Sequence, residues 1–178
     1  MVAELKEALA TIEIGDRGDP STVVAPLVYQ DAVEGAAEFL DLHSRHVVAG
    51  GRVDVAAAVV EPSVVVFDEH TEFHPPELFA PIVAVVPYSD PQFLHEWAQR
   101  PVELSRGMYC SVYGEPALTG ARLGTAVVCH GASALDVEDG NQPFGRFGMQ
   151  ASSVHQRGFS SPQPLLLSEQ AAYVSRFR

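Results

Sequence analysis

The sequence has little of what a nucleic-acid binder needs. Only 11 residues are Lys or Arg against 23 Asp or Glu, a formal net charge of −12. Proteins grip phosphate backbones by displacing counterions with a basic surface, so this function class is excluded, and the acidity bears on solubility instead. Cysteine is scarce too: Cys110 and Cys129 are the only two. They lack the Cys-x-x-Cys spacing of a zinc knuckle or a thioredoxin-like site and read as reduced, buried thiols. Long hydrophobic runs are missing, since every apolar stretch meets proline or charge before the roughly 20 residues that cross a membrane. The N-terminal MVAELKEALATIEIGD mixes Glu and Lys with apolar residues and so does not resemble a secretion signal; a cytoplasmic location is expected. There is no Gly-x-Gly-x-x-Gly, no phosphate-cradling loop, no serine-nucleophile motif and no repeat.

What is present is ordinary globular material. Hydrophobic residues make up 47% and charged residues 19% of 178, enough for a single domain over 1–178 with a real core. Residues 2–12 read as a short helix. Gly15 to Thr22 is dense in turn formers and reads as an ordered loop. Over 29–43, Ala32, Val33, Ala36, Ala37, Phe39 and Leu40 share one stripe, so an amphipathic helix is expected. Gly50-Gly51 is a stop. The apolar, β-branched stretch 56–67 is interrupted at Glu61-Pro62 and reads as two short strands or one kinked strand. A strand is expected over 82–88. A helix is expected from Pro91 to about Gln99, with Asp90 as its N-cap. Further strands are expected at 108–113, 126–129 and 164–168, a short helix at 116–123, and a long loop over 131–162. Strands apolar on both faces alternate with helices. This predicts an α/β fold with an open, mostly parallel sheet flanked by helices.

Isolated candidates for chemistry are weak. His70 and His74 stand four apart among Glu69, Glu72 and Glu77, a metal-ligand spacing on a helix. The sequence Phe73-His74-Pro75-Pro76 argues against a helix there, so a surface loop and no metal site are expected. His43 and His46 fall at a helix C-terminus, where a cationic His suits the dipole. Phe93, Leu94 and Trp97 read as core.

Five segments, taken in order, resemble the C-terminal part of the aldehyde dehydrogenase superfamily over residues 9 to 168. IGDRGDPSTVVAPLV resembles its Gly-Asp-Pro loop. VAGGRVD with EPSVVVF resembles its Gly-Gly turn and Pro-Thr strand. PPELFAPIVAVVPY resembles its Glu-Ile-Phe-Gly-Pro-Val motif. LGTAVVCHG resembles its Gly-x-Val-x-Val-Asn strand, and NQPFGRFGMQAS its Pro-Phe-Gly-Gly motif. The resemblance implies that Glu77 hydrogen-bonds a nicotinamide ribose with Phe79 beside it. It also implies that Pro143, Phe144 and Gly145 belong to a substrate-site loop and that the C-terminal PQPLLLSEQ is an oligomerisation strand.

The same resemblance implies what the matched region does not carry. The family's Rossmann cofactor domain, general-base glutamate, oxyanion asparagine and nucleophilic cysteine come from upstream of it. Acyl transfer to a thiolate needs nucleophile, base and charge stabilisation in one geometry. Cys129 is the only candidate substitute. Its neighbour His130 should point to the opposite face of the strand, and Cys110 lies in an apolar strand. Ala25, Ala80 and Arg146 replace family glycines, and Gln150-Ala151 replaces a closing Ser-Gly. If those positions need left-handed backbone, each change is costly.

The first expectation is therefore a truncated aldehyde-dehydrogenase-like protein, non-catalytic alone, that assembles as a homo-oligomer (a dimer) or with a cofactor-domain-bearing subunit. A second is one subunit of a split dehydrogenase, using NAD or NADP only when a partner chain completes it. A third is a small-molecule or acyl-carrier binding module that uses 131–160.

Overall fold

The computed structural model describes residues 1–69, 71–72, 76–106, 109–114, 127–137 and 153–162. The chain divides into two compact units, Met1–Ser89 and Asp90–Arg178.

In the first unit, helix α1 (Val2–Ala10) is followed by the loop that carries the turn formers. Asp16 Oδ1 accepts from the Gly18 N–H, and Asp19 Oδ1 accepts from both the N–H and the hydroxyl of Ser21. These are Asx turns, which is why the segment is ordered without being helical. Helix α2 (Gln30–Leu42) buries Val33, Ala36, Phe39 and Leu40, spaced at three, three and one residues along a single stripe. A single 3₁₀ turn (Ser44–His46) leads into β1 (Val47–Ala49). The apolar stretch resolves into β3 (Val59–Val60) and β4 (Ser63–Val66), split at Glu61-Pro62. Strand β2 (Val53–Asp54) had no counterpart in the sequence reading; it forms a hairpin with β3, clipped by Arg52 on Glu61 at 3.0 Å. Strand β5 (Ile82–Val85) completes a sheet ordered β1-β4-β5, antiparallel on one side of β4 and parallel on the other.

Strand β4 is the centre of this unit. Ser63, Val64 and Val65 have no exposed surface. Phe39, Leu40, Val65 and Phe67 form one core cluster, and Val33, Ala36 and Val60 a second, with Ile82 packed on both. Each buried Val, Leu or Phe among them contributes about 1.5–3 kcal/mol of transfer free energy. At the Gly50-Gly51 corner, φ at Gly50 is +68°, and a Cβ there would meet the Pro62 carbonyl oxygen and Ser63 Oγ. Only glycine fits. Ser63 Oγ accepts from the Gly51 N–H at 2.8 Å and donates to the Glu61 carbonyl at 2.6 Å, so this buried polar side chain is satisfied.

In the second unit, α3 (Pro91–Ala98) begins as expected. Asp90 Oδ1 accepts from the Gln92 N–H at 2.8 Å, Pro91 takes the first turn, and Gln99 caps the end. Helix α4 (Pro101–Arg106) follows at once, in residues the sequence reading left unassigned. Strands β6 (Tyr109–Val112) and β7 (Val127–His130) pair in parallel. Leu94, Trp97 and Ala98 of α3 pack with Cys110 and Val128, so Leu94 and Trp97 are core.

The expected loop over 131–162 is corrected in two places. Helix α5 (Ala134–Val137) and the hairpin of β8 (Ser153–Gln156) with β9 (Phe159–Pro162) lie within it. The hairpin turns on Arg157-Gly158, both at positive φ, a type I′ shape usually written Asn-Gly. Arginine there hid the signal. The expected helix at 116–123, the strand at 164–168, Arg146 and Gln150-Ala151 lie outside the described residues. Among the described residues, no helix is long and apolar enough to cross a membrane.

Candidate functional site

The first unit carries a groove of about 670 Å³. One wall is α2, through Tyr29, Asp31, Ala32, Gly35, Glu38, Phe39, Leu42 and His43; the other is the segment 76–79. Helical spacing puts 32, 35, 39 and 42 in one row. Ala32, on the apolar stripe expected from the sequence, lies in this wall.

Glu77 and Phe79 both line the second wall. The Glu77 carboxylate is exposed and makes no ion pair or side-chain hydrogen bond among the described residues. Between Glu77 and Phe79, Leu78 turns inward onto the Phe39–Phe67 core and anchors the segment. Phe79 is 72% exposed and sits at φ +46°. A bulky side chain rarely adopts left-handed backbone, and here an aromatic one does so in the open, at a cost on the order of 1–3 kcal/mol.

Gly35, on the other wall, carries a cost as well. It lies in the middle of a thirteen-residue helix, and a Cβ there would meet nothing within 4 Å. Glycine weakens a helix interior, and here no packing demands it. What it does is keep the floor of the groove low.

The expectation about lost glycines is corrected at two positions. Neither Ala25 nor Ala80 has positive φ, so neither is strained. The Ala80 side chain packs against the Val33, Ala36 and Val60 cluster; its methyl group adds to the core. The left-handed residue of this motif is Phe79, one position earlier.

His43 closes one end of the groove. Its ring lies 4.7 Å from Phe39 and 5.1 Å, edge-on, from Phe67. Burial, then the neighbouring His46 and Arg45, hold its pKa below the usual histidine value. This corrects the expectation of a cationic histidine serving the helix dipole. His46 Nδ1 lies 3.1 Å from the Val66 carbonyl oxygen, and Arg45 Nε donates to His46 Nε2 at 3.0 Å. With Nε2 accepting, the Nδ1–H tautomer is the one that satisfies both contacts.

The cysteines belong to the other unit. In the β6–β7 register Cys110 stands opposite Val128, and Ser111 opposite Cys129. Cys110 and Cys129 thus occupy opposite faces of the pair, an arrangement unsuited to a disulfide. Burial, with Cys129 nearby, pushes the Cys110 thiol up. Cys129 is 6% exposed, whereas His130 next to it is exposed. Pro143, Phe144 and Gly145, together with His70 and His74, lie outside the described residues. Among the described residues no three His, Cys, Asp or Glu side chains gather as a metal site.

Comparison with known proteins gives a consistent match. The sequence model of the aldehyde dehydrogenase family matches residues 1–160. A curated relative from Dictyostelium discoideum, a putative aldehyde dehydrogenase family 7 member A1 homolog, is 27% identical over 118 residues, covering 64% of this chain and 23% of that protein. The fold is similar to that of HpcC from Thermus thermophilus, with TM-score 0.67 and 19% identity over 94% of this chain and 36% of that one. It is also similar to an NAD+ complex of aldehyde dehydrogenase from Bacillus cereus, with TM-score 0.67 and 22% identity over 85% and 32%. The chain spans 23% of the curated relative and 36% and 32% of these two structures.

Proposed function

Since the chain belongs to the aldehyde dehydrogenase family, we propose that its groove is the nicotinamide-ribose subsite of an NAD(P) cofactor, and that the chain is non-catalytic alone. It acts in the cytoplasm by assembling with a second copy or with another subunit. The observation that carries this is the pairing of Glu77 and Phe79 on one wall of the groove, facing the notch at Gly35. A carboxylate without a partner among the described residues suits a ribose hydroxyl, which donates. The exposed Phe79 ring suits the face of the nicotinamide. These residues fit one end of the cofactor. When bound, it would supply a hydride acceptor.

The rest of the chemistry is not furnished by the described side chains. Oxidation of an aldehyde through a thioester needs an accessible thiolate. Cys129 is buried, and the Cys110 thiol is pushed up; the unit that carries the groove contains no cysteine. A nucleophile would come from outside the described side chains. The openness of Glu77 also favours the narrower reading, in which this is one subunit of a split dehydrogenase. The site at 131–160 proposed for a binding module has no comparable feature among the described residues.

Native mass spectrometry of the protein taken gently from its own cells tests the assembly. A homo-oligomer or a stoichiometric partner is expected, and a monomer would overturn the reading. Steady NAD(P)-dependent aldehyde oxidation by the purified chain alone, retained in Cys110→Ser/Cys129→Ser, would equally overturn it. Turnover that appears only after mixing with the partner would establish the split enzyme.

A further inference from the structure

Phe79 sits at φ +46°, and its own backbone bonds do not put it there. Among the described residues no hydrogen bond reaches the backbone of Glu77, Leu78 or Phe79, so no ladder or turn sets that angle. The residues on either side are held by their side chains instead. Leu78, half-buried, packs on the cluster of Phe39, Leu40, Val65 and Phe67. Ala80, also half-buried, packs on the separate cluster of Val33, Ala36 and Val60. From this we propose that Leu78 and Ala80 are positioning residues, two pins that hold Phe79 in left-handed backbone and so fix how it is presented to the groove.

Strained backbone persists only where its surroundings over-determine it. Ala80 is fixed from its far side. Its carbonyl accepts from the Ile82 N–H at 2.7 Å, and the Pro81 carbonyl accepts from the Ser63 N–H of β4 at 2.9 Å. A residue before proline is also kept out of the helical region. Leu78 is fixed by its seat in the core. Phe79 is the single residue that must connect the two, and its own mostly exposed ring gains little from the conformation. Releasing either pin lets Phe79 relax to negative φ, the ordinary range for a bulky residue. Glycine at 80 would lose the methyl that packs and free the backbone on that side. The consequence for binding rests on the reading of the groove as a nicotinamide-ribose subsite. Pinned, Phe79 already holds its binding conformation; unpinned, affinity falls with the fraction of chains that still hold it.

The test is NMR of the full chain, with nicotinamide mononucleotide as the probe. The unaltered chain should show a strong HN–Hα NOE within Phe79, because positive φ brings those two protons together, and the probe should shift Gly35 and 77–79. Leu78→Ala and Ala80→Gly should each lose that NOE. Where the left-handed fraction falls to about a fifth, the probe should bind about fivefold more weakly. Leu78→Met, which conserves volume, should keep both the NOE and the affinity. Val53→Ala is the control. Val53 packs on the same two clusters, so this variant should melt lower yet keep the NOE and the affinity. An NOE unchanged in Leu78→Ala and Ala80→Gly overturns the proposal. So does its loss in Val53→Ala, which would make Leu78 and Ala80 ordinary core residues. If the two variants lose the NOE but bind the probe as the unaltered chain does, the positioning role falls and the cofactor reading stands. If the NOE responds as expected and the probe shifts nothing in the unaltered chain, the pins stand and the nicotinamide subsite falls.

Discussion

At the scale of single residues, the groove is defined by what its members give up. Phe79 holds left-handed backbone while mostly exposed, so its side chain recovers little through packing. Phe79→Gly should therefore raise stability by about 1 kcal/mol, read from the denaturant midpoint at unchanged slope, and abolish any gain in melting temperature from a ligand. Loss of stability would show that the ring is a core element and not a site residue. His43 gives the groove a pH dependence. Its pKa is depressed in the folded chain, so the unfolded chain takes up the proton more readily. Stability is then complete above the unfolded value of about 6.5 and falls as pH drops below it, until the folded value is passed. Urea titrations at pH 7.5 and 5.5 should show that fall, and His43→Gln should flatten it. That Glu77 and Phe79 belong to one motif was legible from the sequence through a five-part resemblance. The strain at Phe79 was not, because nothing in the letters distinguishes a phenylalanine with positive φ from one without. Attention went to Ala25 and Ala80, where a missing glycine looked costly; Ala80 proves to be useful packing.

Among the elements, those with a local cause were read correctly. Helix α2 announced itself by periodicity and α3 by its Asp-Pro start. Strand β4 was marked by an unbroken run of β-branched residues. Elements whose cause is tertiary or atypical were missed: β2 needs β3 beside it, and the β8–β9 hairpin turns on Arg157-Gly158 without the usual Asn. Two substitutions measure the local signals. Asp90→Ala removes the hydrogen bond to Gln92 N–H and should cost about 1 kcal/mol, seen as a lower denaturation midpoint. Gly35→Ala should work the other way, stabilising α2 by about 1 kcal/mol, because its methyl enters open space. The same methyl should reduce ligand affinity. A destabilised Gly35→Ala would mean that the helix needs glycine for a reason other than the groove.

On the scale of the whole molecule, acidity was the most legible property, and it reaches into the site, since the groove is lined by Asp31, Glu38 and Glu77 and, among the described residues, by no lysine or arginine. The α/β class was legible because β4 is apolar on both faces, as a strand covered on each side must be. Its parallel partner β5 arrives only after the connection 67–81, and that connection carries Glu77 and Phe79. Parallel neighbours need a crossover of about a dozen residues or more, so there is little slack. Removing five residues from within 67–81 should unfold the sheet, checked by loss of cooperative melting, whereas a surface loop of similar length would absorb the change. Surface connections are ordinarily where lineages gain and lose residues. This one is held to length by the sheet, so drift here should proceed by substitution and seldom by insertion or deletion, and the spacing from the ligand-facing residues to the core should outlast the identities of the residues themselves.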